Sequence, residues 1–252
     1  MAGRPLPGGT MAKYKPKNIV IALPCYTGQI HVGTHRSLVH DMMRMFERGD
    51  SVMPMEECGN ADISLCRAMI VAKFLARKDA THLVMVDSDV CWEGNGMLSL
   101  VDAGVDLVCG AYPRRLGGDQ PSFHMLLKQE GVQTLDPVTK LLEVEAMPAG
   151  FMCLTRSMLT RMIDHYPESK ISFEQCPGGV AWDLFDGLRF NDETGLPHKY
   201  GEDYSFCKRW TRMGGKVWLN PFISMGHLGT KLWQGRLSDG FKALEAEKAA
   251  AA

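Results

Sequence analysis

Apolar residues in this chain come in short unbroken runs, separated by stretches in which they recur at helical spacing. Residues 18–23, Asn-Ile-Val-Ile-Ala-Leu, form a β-branched run stopped by Pro24, the pattern of a short buried strand. Between residues 34 and 48, Leu38, Met42, Met45 and Phe46 lie near helical spacing, which predicts a helix. A second strand is expected over residues 51–55. It leads to Asn60 or Asp62 as N-cap of a helix whose Ile63, Cys66, Ile70 and Phe74 share one stripe. The run His82-Leu83-Val84-Met85-Val86 gives a third strand, a helix follows around residues 96–102, and residues 106–109 give a fourth strand. A β-α-β-α-β-α-β series normally builds a mostly parallel sheet with helices on both faces. Ligands in such sheets collect at the carboxyl ends of the strands, where Pro24-Cys25-Tyr26 and Asp87-Ser88-Asp89 both fall.

The alternation loosens after Tyr112-Pro113-Arg114-Arg115, and Gly117-Gly118 marks a boundary. Beyond it the pattern predicts a strand over residues 142–147, a helix over 156–166 and a long polar loop over 183–199. Loops of that length are commonly functional lids or disordered. Gly201-Glu202-Asp203 opens a helix with Phe206, Trp210 and Met213 on one face and Gly214-Gly215 as its stop. Residues 216–219 read as a strand, followed by a loop through Gly226-His227-Leu228-Gly229. Residues 1–16 lack core-forming residues, and the C-terminal tail, 236–252, ends in an Ala/Glu/Lys segment, 243–252, with almost nothing to bury.

With 252 residues, 45% of them hydrophobic, the chain can bury a sizeable core. A formal net charge of -1 supplies no global field for nucleic acid or anionic membrane, leaving room only for a local basic patch. The eight cysteines include no C-x-x-C pair and mostly sit inside apolar runs, the expectation for free thiols in a reducing compartment. No apolar run approaches the length of a membrane span and the first ten residues lack the form of a signal peptide, so a soluble, cytoplasmic protein is expected.

Asp87-Ser88-Asp89 is the most informative chemistry in the chain. Side chains at i and i+2 of an extended segment point the same way, and two carboxylates about 4 Å apart repel by roughly 4 kcal/mol at an effective dielectric of about 20. Such a pair invites a cation or a shared proton, although a bare D-x-D also fits a solvated turn with Asp89 capping a helix. His31 and His35 have i, i+4 spacing without the glutamate of a zinc protease. Met42-Met43-Arg44-Met45 reads as core filling.

The ordered set of residues 19–24, Asp62 to Arg67, Val86-Asp87-Ser88-Asp89, Gly150-Phe151-Met152, Gly201-Glu202-Asp203 and Gly226-His227 resembles glycosyltransferases of the GT-A fold, in particular the family 2-like inverting enzymes. The resemblance covers most of the chain. It implies one α/β GT-A domain over residues 17–235, with a nucleotide-sugar-binding half at 17–116 and an acceptor-binding half at 117–235. It also implies Mn2+ or Mg2+ as cofactor, a nucleoside diphosphate sugar such as a UDP-sugar as donor, and a hydroxyl acceptor on a saccharide, protein or modified nucleic acid. Asp89 would ligate the metal, with Asp87 a second ligand or a partner of the ribose, and His227 a third ligand. Asp203 would be the general base and Glu202 would bind acceptor hydroxyls.

By the same likeness, Pro24, Cys25 and Tyr26 border the nucleotide base, Arg67 contacts base or diphosphate, and Ser88 belongs to the donor site. Arg114 or Arg115 would meet the diphosphate or sugar, and Lys231 with Trp233 would close over the phosphates. Trp182, Asp183 and Phe185 are candidates for the acceptor pocket. Two rivals remain at this point. Asp87-Ser88-Asp89-Val90 also resembles the motif of haloacid-dehalogenase-type phosphatases, with Asp87 as nucleophile, and a catalytically silent sugar-nucleotide-binding protein would keep the fold alone.

Overall fold

The computed structural model describes residues 14–115, 122–128, 134–191 and 194–241. Gly117-Gly118, proposed as a boundary, and most of the proposed terminal segments lie outside them. The elements are β1 (Asn18–Cys25), α1 (Val32–Glu47), β2 (Ser51–Cys58), α2 (Ile63–Ala76), β3 (His82–Val86), β4 (Val90–Trp92), α3 (Gly96–Val101), β5 (Leu107–Gly110), β6 (Leu142–Val144), β7 (Phe151–Thr155), α4 (Arg156–His165), β8 (Lys170–Ser172), β9 (Val180–Trp182), β10 (Arg189–Asn191), β11 (Pro197–Lys199), α5 (Glu202–Arg212), β12 (Val217–Asn220), β13 (Met225–Leu228) and β14 (Leu232–Gly235).

Seven strands form one sheet in the order β2-β1-β3-β7-β5-β12-β6. The pairs β1/β2, β1/β3 and β5/β12 are parallel, whereas β7 runs antiparallel to both β3 and β5, and β6 antiparallel to β12. The architecture is therefore the expected one, an α/β fold with a mostly parallel central sheet flanked by helices. Strands from both sides of residue 117 share that sheet. The polar stretch expected as a loop carries a short hairpin, β10 against β11, and β4, β13 and β14 make a small separate sheet.

Both faces of the large sheet are covered, so its strands alternate between two apolar clusters. Ile19, Ile21 and Leu23 join Val84, Val86 and Val108 under α1 and α3, whose Leu38, Met45, Met97 and Leu100 complete that cluster. Val20, Ala22, Leu83, Met85 and Leu107 face the other way, toward Cys66, Ile70 and Phe74 of α2 and toward residues of α4 and α5. This is why the strands read as continuous apolar runs rather than alternating ones. Helix α2 is apolar nearly all round because its second face, Ala68, Met69 and Ala72, packs on Cys176 and Ala181 beside the β8–β9 hairpin. Phe46, assigned to the apolar stripe of α1, is in fact exposed.

Polar bonds fix the segment that follows β3. Asp41 of α1, 0% exposed, accepts hydrogen bonds from Trp92 Nε1 at 2.9 Å and from the Met97 N–H at 2.7 Å. Ser37 Oγ donates to the Trp92 carbonyl at 2.7 Å and accepts from its N–H at 3.0 Å. Helix α1 is thereby bonded to β4, the strand entered directly from Asp87-Ser88-Asp89. Removing the buried acceptor leaves two donors unsatisfied. Asp41→Ala should cost about 2–4 kcal/mol in urea unfolding; an unchanged midpoint would show that these bonds carry no net stability.

Candidate active site

Chain geometry brings the carboxyl ends of β1 and β3 together with the first turns of α2 and α5. A cavity of about 300 Å³ lies there, lined by Pro24, Cys25, Tyr26, Asn60, Ala61, Ile63, Cys66, Arg67, Asp87, Ser88, Asp89 and Glu202. Eight of the residues proposed from sequence thus meet at one cavity. Of the others, Asp203, Arg115 and His227 stand beside cavity-lining groups, whereas Arg114, Lys231, Trp182 and Asp183 do not line it.

The β1 exit turns sharply at Gly28, whose φ is +69°, and Gly28 N–H donates to the Cys25 carbonyl at 2.9 Å. Tyr26 beyond it is 62% exposed, with its ring open to a ligand. The Ser88 carbonyl accepts from the His31 N–H at 2.9 Å and from Thr34 Oγ1 at 3.2 Å, which ties the β3 exit to the start of α1. Asp62, rather than Asn60, caps α2: its Oδ1 accepts from the N–H groups of Ser64 and Leu65 at 3.0 and 3.2 Å.

Arg67 projects from α2 and is only 3% exposed. Its Nη1 donates to Glu202 Oε1 at 2.5 Å and its Nη2 to Asp87 Oδ1 at 3.2 Å, while its buried Nε has no partner. Burial alone would pull the guanidinium pKa down; the Asp87 and Glu202 carboxylates outweigh it and hold it above the ordinary arginine value. The other oxygen of Asp87 lies over Gly150, where an added Cβ would come within 2.5 Å of Asp87 Oδ2 and of the Tyr112 hydroxyl. Glycine is needed there for that close approach.

Asp203, next to Glu202 in the first turn of α5, is half-buried, and its Oδ1 accepts from the Tyr204 N–H at 2.7 Å. Burial, the Glu202 charge and, more weakly, the Asp87 charge push its carboxyl up to about 6, against the opposing Tyr204 hydrogen bond and the Arg67 charge. A carboxylate in that range can take a proton near neutral pH.

The β4–β13 pairing sets His227 opposite Val90, one residue past Asp89, and the Leu228 N–H donates to the Asp89 carbonyl at 2.8 Å. His227 Nδ1 lies 2.9 Å from the Pro113 carbonyl. A carbonyl only accepts, so Nδ1 carries the proton. Burial holds the ring's pKa below the ordinary histidine value, so Nε2 keeps its lone pair. That lone pair faces Asp89 Oδ1 at 3.6 Å. A histidine nitrogen and a carboxylate oxygen at that separation can share a small cation, and a carbonyl that fixes the tautomer is the usual support of a metal-ligating histidine. Asp89 and His227 therefore suit a divalent ion. Asp87 is turned to Arg67 instead, and among the described residues no three His, Cys, Asp or Glu side chains converge on one point.

Asp89 Oδ2 pairs with Arg115. Arg114 is exposed, its N–H bonded to the Ser122 carbonyl at 2.7 Å. Lys231 is exposed at the β13–β14 turn, with Nζ 5.1 Å from the Trp233 ring centroid. Trp182 is half-buried on β9, Phe185 is fully buried against Phe206, and Asp183 accepts from Ser64 Oγ at 3.1 Å in the first turn of α2. Sequence reasoning gave no role to Tyr112, whose ring stands edge-on to His227 at 5.1 Å and near Asp87. Its place just past the carboxyl end of β5 was the available signal.

No protein-family model matches the chain, and no curated protein sequence does. Among solved structures, A197 from STIV matches over 88% of this chain and 91% of its own, with a TM-score of 0.52 and 14% identity. The 4-diphosphocytidyl-2C-methyl-D-erythritol synthase from Anaerococcus prevotii DSM 20548 matches over 78% of this chain and 99% of its own, with a TM-score of 0.34 and 12% identity. The likeness to A197 is one of fold. Among the described residues, no helix is long and apolar enough to cross a membrane.

Arg67→Met keeps the bulk and removes the charge, leaving Glu202 and Asp87 facing each other without a counter-ion. Breaking a buried pair in this way costs about 3 kcal/mol or somewhat less here, because both carboxylates are partly solvated. Urea unfolding of the variant should show that loss; stability equal to the parent would mean that the pairs merely offset the desolvation of the three groups.

Proposed function

We propose that this protein is a glycosyltransferase of the GT-A kind, moving a sugar from a nucleoside diphosphate sugar to an acceptor hydroxyl with inversion. The observation that carries this reading is a half-buried Asp203 with its carboxyl pushed up to about 6, standing beside the cavity that also holds Asp87-Ser88-Asp89 and Tyr26. A proton acceptor and a turn carrying two carboxylates then flank one space, which suits deprotonation of an acceptor beside a cation-assisted departure of a diphosphate.

In this reading the residues at 17–116 hold the donor and those at 117–235 the acceptor. Asp89 and His227 hold Mn2+ or Mg2+, which when bound supplies Lewis-acid neutralisation of the departing diphosphate. Pro24, Cys25 and the exposed Tyr26 ring border the base, with Tyr26 stacking on it. Arg67 keeps Asp87 and Glu202 in place from below, so Asp87 is directed to the donor's ribose. Glu202 orients the acceptor, and Asp203 takes its hydroxyl proton as the acceptor oxygen bonds to the anomeric carbon and the carbon–phosphate oxygen bond breaks. One base on one side implies direct displacement. Ser88, Arg114 and Lys231 are assigned to the donor, and Trp182 and Asp183 to the acceptor, although of these five Ser88 alone lines the cavity. A UDP-sugar is the first donor to try. The phosphatase alternative fits less well, since a nucleophilic Asp87 would have to give up the Arg67 guanidinium that holds its Oδ1, whereas accepting a hydrogen bond from a ribose hydroxyl would not require this.

Binding is read by thermal shift with UDP, GDP and CDP, each with and without Mn2+. One of them should stabilise the protein in a Mn2+-dependent way, by about 2.7 kcal/mol at a hundredfold excess over Kd, and Asp89→Asn should remove the effect. No shift with any diphosphate would overturn the donor assignment.

Turnover supplies a separate check. Asp203 is protonated below about pH 6 and cannot accept, so kcat/KM should rise about tenfold per pH unit up to about 6 and level off above it. Asp203→Asn should cost about 10²–10⁴ in kcat with nucleotide affinity nearly unchanged. Full turnover in that variant would remove Asp203 as base.

A further inference from the structure

Arg115 and a divalent ion have claims on the same carboxylate. The Arg115 guanidinium pairs with Asp89 Oδ2, while Asp89 Oδ1 faces His227 Nε2 at 3.6 Å. We propose that Arg115 is an exchangeable internal counter-ion: it neutralises Asp89 until a divalent ion docks there, and on release it is handed to the donor's diphosphate. This rests on the donor-and-cation reading above and assigns Arg115 a role as competitor as well as ligand.

Three features make the exchange physically reasonable. First, the pair is partly solvated, with the side chains of Arg115 and Asp89 38% and 34% exposed, so the guanidinium can leave without crossing a core. Arg67 differs in this respect, its side chain being 4% exposed and clamped by two carboxylates. Second, the stem runs past a glycine on its way to Asp89. It leaves the chain beyond β5 and passes the turn between β13 and β14, where a Cβ on Gly229 would lie 3.4 Å from Arg115 Cδ. A glycine at that point leaves the stem room to swing.

Third, the charges do not tolerate both occupants at full contact. A guanidinium and a divalent ion on one carboxylate repel each other at short range, and Asp89 has a single negative charge to share. A diphosphate arriving with the ion brings new anionic oxygens, and a guanidinium fork matches phosphate geometry well. Arg115 therefore moves from a carboxylate to a phosphate, and its positive charge stays within the site throughout.

The exchange predicts effects of opposite sign on two ligands. Mn2+ alone, followed by the EPR signal of the free ion, should bind Arg115→Gln about two- to fivefold more tightly than the parent, the size expected of losing a solvent-exposed competitor pair. Arg115→Lys, which keeps a cation beside Asp89, should stay near the parent value. With Mn2+ saturating, UDP should bind Arg115→Gln about tenfold more weakly, because a charge-assisted hydrogen bond is lost. Equal or weaker Mn2+ binding in Arg115→Gln would overturn the exchange and leave the cation reading standing. Mn2+ binding that survives Asp89→Asn would put the ion elsewhere and overturn the exchange as well. Failure of both parent and Arg115→Gln to bind Mn2+ at millimolar concentration would overturn the cation reading and the exchange together.

Discussion

A guanidinium buried between two carboxylates organises this molecule. Placing Arg67 at 3% exposure costs several kcal/mol of desolvation, and the cost is offset only if Asp87 and Glu202 both arrive. They stand 20 and 135 residues away along the chain, one at the end of β3 and the other in the first turn of α5. The Phe185 ring adds an electron-rich face 5.8 Å from the guanidinium carbon. The relation between the two acidic segments is therefore set by the protein's own charge balance before any ligand binds. A site held this way is pre-organised, and its acids do not depend on a substrate to keep them apart.

Much of the fold was legible in the sequence, since strands covered on both faces read as continuous apolar runs. Residues 19–23 and 82–86 have that form, and both lie in interior strands with a neighbour on each side. What local pattern could not supply was the place of β7. Phe151-Met152-Cys153-Leu154 is as apolar as its neighbours, but its antiparallel insertion between β3 and β5 is decided by long-range pairing that no periodicity encodes. The polar run from 183 to 199 concealed the β10–β11 hairpin for a related reason. Its strands are three residues each and mostly exposed, so they carry almost no hydrophobic signal.

The candidate site was legible in its parts and less so in its arrangement. Asp87, Asp89, Glu202 and Asp203 could be picked out because carboxylates at a strand end or helix start are chemically conspicuous. Arginine gives no such clue: Arg67 and Arg115 look alike in the sequence, yet one is a buried structural charge and the other a solvated arm. Which carboxylate each would meet depends on tertiary geometry. Gly150 and Tyr112 act by shape, the first by having no Cβ and the second by setting its ring edge-on to His227 and its hydroxyl beside Gly150. Neither kind of contribution has a local sequence signature.

The acidic pair at the start of α5 bears on whether this site is built for chemistry or for stability. A carboxylate there would ordinarily gain about 0.3–1 kcal/mol from the helix dipole, which lowers its pKa. Asp203 goes the other way, from 3.8 to about 6, a preference for the neutral form of about 3 kcal/mol. Burial and the Glu202 charge thus outweigh the dipole and the Tyr204 hydrogen bond together. The partition follows from Arg67, which is bonded to Glu202 and leaves Asp203 without a directly bound cation. A folded-state pKa above the unfolded one favours the fold at low pH and is a liability once pH rises past about 6. A residue placed only to cap a helix would contribute with the opposite sign. An aspartate kept ionisable near neutrality at the expense of stability is what the proposed role of Asp203 as base requires.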